Sequence, residues 1–275
     1  MDDIHIVSVT TENAYYFPYL QETCKKNGAT LTCIGDYEKW KSTEWRLQYM
    51  IHYAERIPPT DIVCFVDGFD VICIRPIGEL CDKFAQLQKT HDCKIIVAYE
   101  NAIGSCEQWL RFFCNKQCQN TYLNTGTMIG YARDIRYVCK ILVKMMMDET
   151  MDLDQLFTKY GNTNPQDIYI DSGAELFLCL RSPLSEIDEF LYIDEQQTVH
   201  FGDKKPFFIH ASGCTLLTNL LHKLGYEVKD HVANDIYLKY VGHWLCCSNY
   251  SVYCFYLFCI ALMYVSFAVT AQKID

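Results

Sequence analysis

The stretch Cys64–Ile72, CFVDGFDVI, sets two carboxylates, Asp67 and Asp70, three residues apart in a run that otherwise reads as buried strand. Upstream, DIVCFV is rich in Val, Ile and Phe and carries no charge after Asp61; downstream, VICI resumes the same chemistry. A carboxylate taken out of water must be paired, hydrogen-bonded or bound to a metal. No Lys or Arg lies between Arg56 and Arg75, so the segment itself offers no cation to either aspartate. Two readings stand. Asp-Gly is a turn dipeptide, and the pair would then mark a solvated turn. Alternatively, the pair sits where a strand leaves the carboxyl edge of an open α/β sheet, the edge at which such sheets bind ligands.

Outward from this strand, extended and helical patterns alternate. IHIVSV at Ile4 to Val9 reads as a first strand, and the following segment as a loop and a helix that stops near Asn27-Gly28. ATLTCIG is a second strand, and STEWRLQYMIHYAERI a helix ending before Pro58-Pro59. DIVCFVDGFDVICI is the third strand with its aspartate exit, IGELCDKFAQLQK a helix, and CKIIVAYE a fourth strand ending on Glu100. This order predicts an α/β fold, a mostly parallel sheet with helices on both faces. The second half is less regular: YLNTGTMIGYARDIRYVCKILVKMMM reads as a short strand with turns and then a helix. DLDQLFTKYG starts another helix, and LFLCL and PFFIHASG are further short strands.

Composition narrows the function. The chain has 275 residues, of which 50% are hydrophobic and 21% charged, which is ordinary globular usage. Its formal net charge of −10 argues against nucleic-acid binding, which needs a basic face. An anionic ligand such as a nucleoside diphosphate would need a cation as escort. Sixteen cysteines would suggest disulfides in a secreted chain, but MDDIHIVSVT has neither the basic nor the apolar region of a signal peptide. The cysteines also sit in apolar runs, where they act as small buried hydrophobes. The folded part therefore reads as cytosolic and reduced. Cys106, Cys114 and Cys118 are loosely spaced with no histidine near, a poor zinc pattern.

The carboxyl-terminal tail differs in kind. Between Lys239 and Lys273 there is no Asp, Glu, Lys or Arg. Tyr250 to Ala271 would make ~33 Å of helix at ~1.5 Å per residue, enough to cross a ~30 Å hydrocarbon core. Tyr250, Tyr253 and Tyr256 gather toward one end, where an aromatic belt would lie. A buried core helix is the alternative. The expected organisation is a catalytic domain over 1–235, a linker over 236–249 and a membrane tail anchor over 250–271, with the domain facing the cytosol. Cys246 and Cys247 lie beside the anchor as candidate palmitoylation sites.

Taken in order, FVDGFDVI, ELCDKF, IIVAYE, YLNTGTMIGYA, DLDQLF and FIHASGCT resemble the glycosyltransferase domain of procollagen lysyl hydroxylases and the related collagen galactosyltransferases. The resemblance covers roughly Ile4 to Tyr226. It implies a GT-A fold, a UDP-sugar donor (UDP-galactose or UDP-glucose), Mn2+ or Mg2+, and a protein or glycan acceptor such as hydroxylysine. Oxygen ligands suit those cations. By the same resemblance, Asp67, Asp70 and His210 correspond to metal ligands. Val9 and Thr11 correspond to uridine contacts, and Trp40 to a stacking residue. Asn124 and Glu100 line the sugar and acceptor pocket, Gly213 belongs with the donor-binding residues, Asp154 is an essential acid, and Asp154 or Glu100 is the catalytic group that activates the acceptor hydroxyl. The plainer readings are a structural histidine, a turn amide, a strand-end charge and, for Asp154, a helix N-cap.

The sequence departs from the family in three places. Leu153 interrupts an acidic run, Phe69 stands for a Tyr between the metal aspartates, and Leu216 stands for a Lys. The resulting expectation is a metal-dependent hexosyltransferase. The alternative is a membrane-anchored, catalytically weakened nucleotide-sugar-binding or scaffold protein, which Leu153 and Leu216 favour.

Overall fold

The computed structural model describes residues 3–35, 38–39, 41–102, 123–148, 153–182 and 185–238. The chain divides into two units, Met1–Ala233 and Asn234–Asp275; the second is described only over 234–238, which is helical. The expected linker beyond 238, the tail anchor, Trp40, the Cys106, Cys114 and Cys118 group and Cys246-Cys247 lie outside the described residues. Among the described residues no helix is long and apolar enough to cross a membrane.

In the first unit, strand β1 (Ile4–Val9) lies between β2 (Leu31–Ile34) and β3 (Ile62–Val66), parallel to both. Strand β6 (Leu123–Tyr131) is antiparallel and inserted between β3 and β5 (Ile95–Ala102). Beyond β5 come β7 (Ile168–Asp171) and β8 (Phe177–Arg181), both parallel to it, then β11 (Phe208–Ser212) parallel to β8. The edge is β4 (Val71–Cys73), antiparallel to β11. Strands β9 (Tyr192–Ile193) and β10 (Val199–His200) form a separate antiparallel pair. The main sheet is thus mostly parallel, with β6 and β4 reversed.

The DGFD stretch is therefore a junction between two strands and not the exit of one. The sequence reading joined β3 and β4; the structure puts them third and eighth in the order β2-β1-β3-β6-β5-β8-β11-β4. Five strand spacings of about 4.8 Å make ~24 Å. The five Cα steps from Val66 to Val71 span at most about 18 Å. The sheet must therefore curl, bringing β4 and β11 back toward the end of β3.

Among the described residues the sheet is flanked by α1 (Phe17–Lys26), α2 (Thr43–Glu55), α3 (Leu80–His91), α4 (Ala132–Asp148), α5 (Leu153–Thr163) and the short α6 (Thr218–Lys223). Local chemistry sets their ends. Pro18 sits in the first turn of α1, Lys25 and Lys26 in its last, and Gly28 follows at φ 75°. The Ser42 side chain accepts the Trp45 N–H at 3.1 Å and caps α2.

All five residues of β3 are buried, and they alternate between two cores. Ile62, Cys64 and Val66 face Phe17 and Leu20 of α1 and Leu80 and Phe84 of α3. Val63 and Phe65 face Leu47 and Met50 of α2, Ile135 of α4 and Phe157 of α5. That two-residue alternation makes the middle of a three-layer α/β/α sandwich. The cysteines behave as read: Cys24, Cys64, Cys73, Cys93, Cys139 and Cys179 are buried and free. Burial pushes the Cys139 thiol up to about 12 and Cys93 to about 11.

Candidate active site

Asp67 and Asp70 leave the sheet at the carboxyl ends of its parallel strands, and each is pinned through its backbone. The Asp67 N–H donates to the Gly126 carbonyl at 2.7 Å, and the Asp70 carbonyl accepts from the Ala211 N–H at 2.8 Å. Because His210 stands opposite Val71 across the β4–β11 pairing, it reaches Asp70: Nε2 lies 3.2 Å from Oδ1. One ligand atom from each of Asp67, Asp70 and His210 falls within 4.8 Å of the others. Two ligands on opposite sides of a cation bound at about 2.0–2.6 Å stand about 4–5 Å apart. The two carboxylate oxygens suit a hard divalent cation, and the imidazole nitrogen widens the set to other divalent ions. The residues fit such an ion.

Gly126 keeps this space open. A Cβ there would stand 2.2 Å from His210 Cε1 and 2.8 Å from Asp67 Oδ2. The glycine sits in a bulge: Met128 of β6 pairs with Val97, but Asn124 pairs with Ala98, so residues 125–127 have no counterparts on β5. The turns expected in YLNTGTMIG are this bulge, and the strand continues on both sides of it. Bulges re-aim residues beside active sites.

Charge at the site is unbalanced. Burial raises the Asp67 pKa against the pull of Arg46, and Asp70 adds to the rise. For His210, burial works to lower the pKa, but the Asp70 carboxylate and Cys179 outweigh it and raise it well above the usual imidazole range, favouring the protonated ring. A ligated ion would replace that proton, so affinity for it falls as pH falls. The other ring nitrogen, Nδ1, lies 3.4 Å from Cys179 Sγ. Metal ligation through Nε2 requires that Nδ1 carry the proton and donate it to the sulfur.

The remaining candidates surround this centre. Asn124 Nδ2 donates to Glu100 Oε2 at 2.9 Å and to Ser212 Oγ at 3.2 Å, and its Oδ1 accepts the Gly126 N–H at 2.8 Å. Ser212 Oγ donates to the same Glu100 oxygen at 2.8 Å, and Arg181 Nη1 lies 3.6 Å from the other. Asn124 is therefore a buried connector and not a turn amide, and Glu100 is a buried, hydrogen-bonded carboxylate. Gly213, at φ 64°, follows His210 and lies against Arg181, whose Nε a Cβ would meet at 3.0 Å. Val9 ends β1 and Thr11 follows it. Between them, Thr10 touches the junction so closely that a Cβ on Gly68 would fall 1.8 Å from its Cγ2.

Asp154 is the second residue of α5 and not its cap. Its Oδ1 accepts both the Thr125 N–H at 2.9 Å and the Thr125 hydroxyl at 2.6 Å. Leu153, the neighbour that interrupts the acidic run, is 6% exposed and packs in the core of α2, α4 and α5. Leu216 exchanges backbone hydrogen bonds with Ser185 and Ile187. Phe69 packs edge-on against Tyr15, with ring centroids 5.6 Å apart.

Three participants escaped the sequence reading: Arg46, Thr125 and Ser212. The cation missing around the DGFD stretch comes from α2, where Arg46 Nη2 lies 2.7 Å from Asp67 Oδ1. A signal for it existed. Arg46 stands four and eight residues before the buried Met50 and Ala54, a charge on the core-facing row of a helix.

A comparison with curated protein sequences finds no match. Among solved structures, a glycosyltransferase involved in the glycosylation of the major capsid of PBCV-1 is similar at 13% identity and a TM-score of 0.48. The likeness covers 81% of this chain and 98% of that one. The family model of the PLOD GT domain, the glycosyltransferase domain of lysyl hydroxylases, matches residues 1–234. By this match the chain belongs to the PLOD glycosyltransferase-domain family.

Proposed function

We propose that the chain transfers a hexose, galactose or glucose, from a UDP-sugar to an acceptor hydroxyl, with Mn2+ or Mg2+ held by Asp67, Asp70 and His210. The observation that carries this reading is the meeting of those three side chains at the carboxyl edge of the curled sheet. When bound, the cation neutralises the charge that builds on the diphosphate as it departs. Val9, Thr11 and Trp40 receive the uridine, and Gly213 lets the backbone after His210 approach the donor. Asn124, fixed at both ends of its amide, orients the sugar. The acceptor oxygen attacks the anomeric carbon, the bond to the diphosphate breaks, and Asp154 takes the acceptor proton. Thr125 holds Asp154 Oδ1 and so sets the plane of the carboxylate. Glu100 keeps Asn124 and Ser212 in place.

Of the departures that favour a weakened scaffold, Leu153 adjoins Asp154 but turns its side chain into an apolar core, and Leu216 is paired with residues 185–187. The acceptor in this reading is a protein or glycan hydroxyl, hydroxylysine of a collagen-like chain first among them. Residues 250–271 anchor the catalytic domain of 1–235 to a membrane from its cytosolic side, and the full chain should resist carbonate extraction. A donor screen tests the reaction. Metal-dependent turnover of UDP-galactose or UDP-glucose is expected, with Asp154→Asn removing transfer while metal and UDP binding persist. Tight UDP-sugar binding with no turnover, to any acceptor or to water, would establish the scaffold reading instead.

A further inference from the structure

The bulge in β6 creates a bonding problem that two side chains solve. A backbone group that leaves a sheet ladder inside a protein must find another partner. Thr125 gives its N–H to Asp154 Oδ1 at 2.9 Å, and its carbonyl accepts from Arg46 Nη2 at 2.9 Å. Side chains thus stand where a neighbouring strand would be. The same Arg46 nitrogen lies 2.7 Å from Asp67 Oδ1. Oδ2 of that carboxylate is the oxygen turned toward Gly126, on the side where His210 also approaches. Asp67 can therefore keep Arg46 on one oxygen and present the other to a cation.

From this we infer that Arg46 is a positioning residue for transfer. It fixes Asp67 in its ligating orientation and, through Thr125, locks Asp154 into the same frame. The inference deepens the proposed function and rests on it. Both contacts come from the one nitrogen Nη2, whose two N–H groups serve a carboxylate and a carbonyl at once from a position only 12% exposed. An ammonium keeps the charge and the number of donors but loses their planar, fixed placement. Partners that orient a metal ligand typically cost 10–100-fold in metal affinity when removed.

The test titrates Mn2+ alone against the full chain and measures kcat and KM with a UDP-hexose, for Arg46→Gln, Arg46→Lys, Thr125→Val and Thr125→Ser. Arg46→Gln should weaken Mn2+ binding by about 10–100-fold and lower kcat. Arg46→Lys, which keeps a cation in the buried position, should fall between Gln and wild type and guards against a mere folding loss. Thr125→Val removes one of the two bonds to Asp154 but leaves the carbonyl that Arg46 holds. It should keep Mn2+ affinity and KM while kcat falls, and Thr125→Ser should restore kcat. A folded Arg46→Gln chain that binds Mn2+ like wild type overturns the inference alone, as does a Thr125→Val loss that Ser does not rescue. A wild-type chain that binds no Mn2+ overturns the inference together with the functional reading beneath it.

Discussion

At the amino-terminal edge of the sheet, buried carboxylates are matched by dedicated partners. Asp61 takes His5 Nε2 at 2.9 Å, and Asp167 takes Lys94 Nζ at 2.6 Å and the Tyr160 hydroxyl. At the carboxyl edge, Asp67, Asp70, Asp154 and Glu100 crowd together beside Arg46, Arg181 and His210. The first edge is complete as folded. The second carries surplus negative charge around a space that a glycine keeps open, and folding alone gains nothing from such crowding. The difference teaches where the sheet is built for stability and where it is built to receive a cation.

The largest effect should come from filling that space. Gly126→Ala puts a methyl 2.2 Å from His210, against backbone-anchored neighbours, and should abolish Mn2+ binding in a direct titration while the circular-dichroism spectrum stays that of a folded chain. Retained binding would mean that the triad is not the metal site. Next is Leu153→Asp. Restoring the acidic run would bury a carboxylate in an apolar core and lose the leucine, at about 3 kcal/mol or more. Denaturant melts should show that loss, with no gain of transfer to hydroxylysine; a gain would mean that the acidic neighbour belongs to the acceptor pocket after all.

Smaller effects belong to the other edge. Lys94→Ala leaves Asp167 with Tyr160 and should cost about 1–3 kcal/mol. Mn2+ affinity should stay within about twofold, because distant sites act independently. If affinity falls with stability, the two edges are not separable. Gly161→Ala, inside α5, is the smallest change. Its Cβ would meet Ile168 at an ordinary 3.5 Å, and the helix should gain up to about 1 kcal/mol in the same melts.

The sequence carries the local half of this arrangement. The stop at Asn27-Gly28, the Ser42 start of α2 and the uncharged run of β3 follow from chemistry within a few residues. The pairing does not. Nothing local in Leu123–Tyr131 says that it runs antiparallel between β3 and β5, because that choice is made by strands far off in the chain. Nor does DGFDVICI reveal that its two halves join opposite parts of a curled sheet. Among the site residues, Asp67 and Asp70 are conspicuous by the cost of burying them, whereas a lone histidine like His210 becomes a candidate only through family resemblance. Arg46 was legible as a charge on a buried helical row. Its partners were not, since the β6 bulge that needs it forms only against β5.

The most direct test of the account is calorimetric binding of UDP, with Mn2+ present and with a chelator, to the wild type and to Asp67→Ala and Asp70→Ala. If these carboxylates and His210 hold the cation that receives a diphosphate, wild-type binding depends on Mn2+, and both variants, still folded, bind UDP no better than the chelated wild type. UDP binding of equal strength with and without the chelator would contradict it.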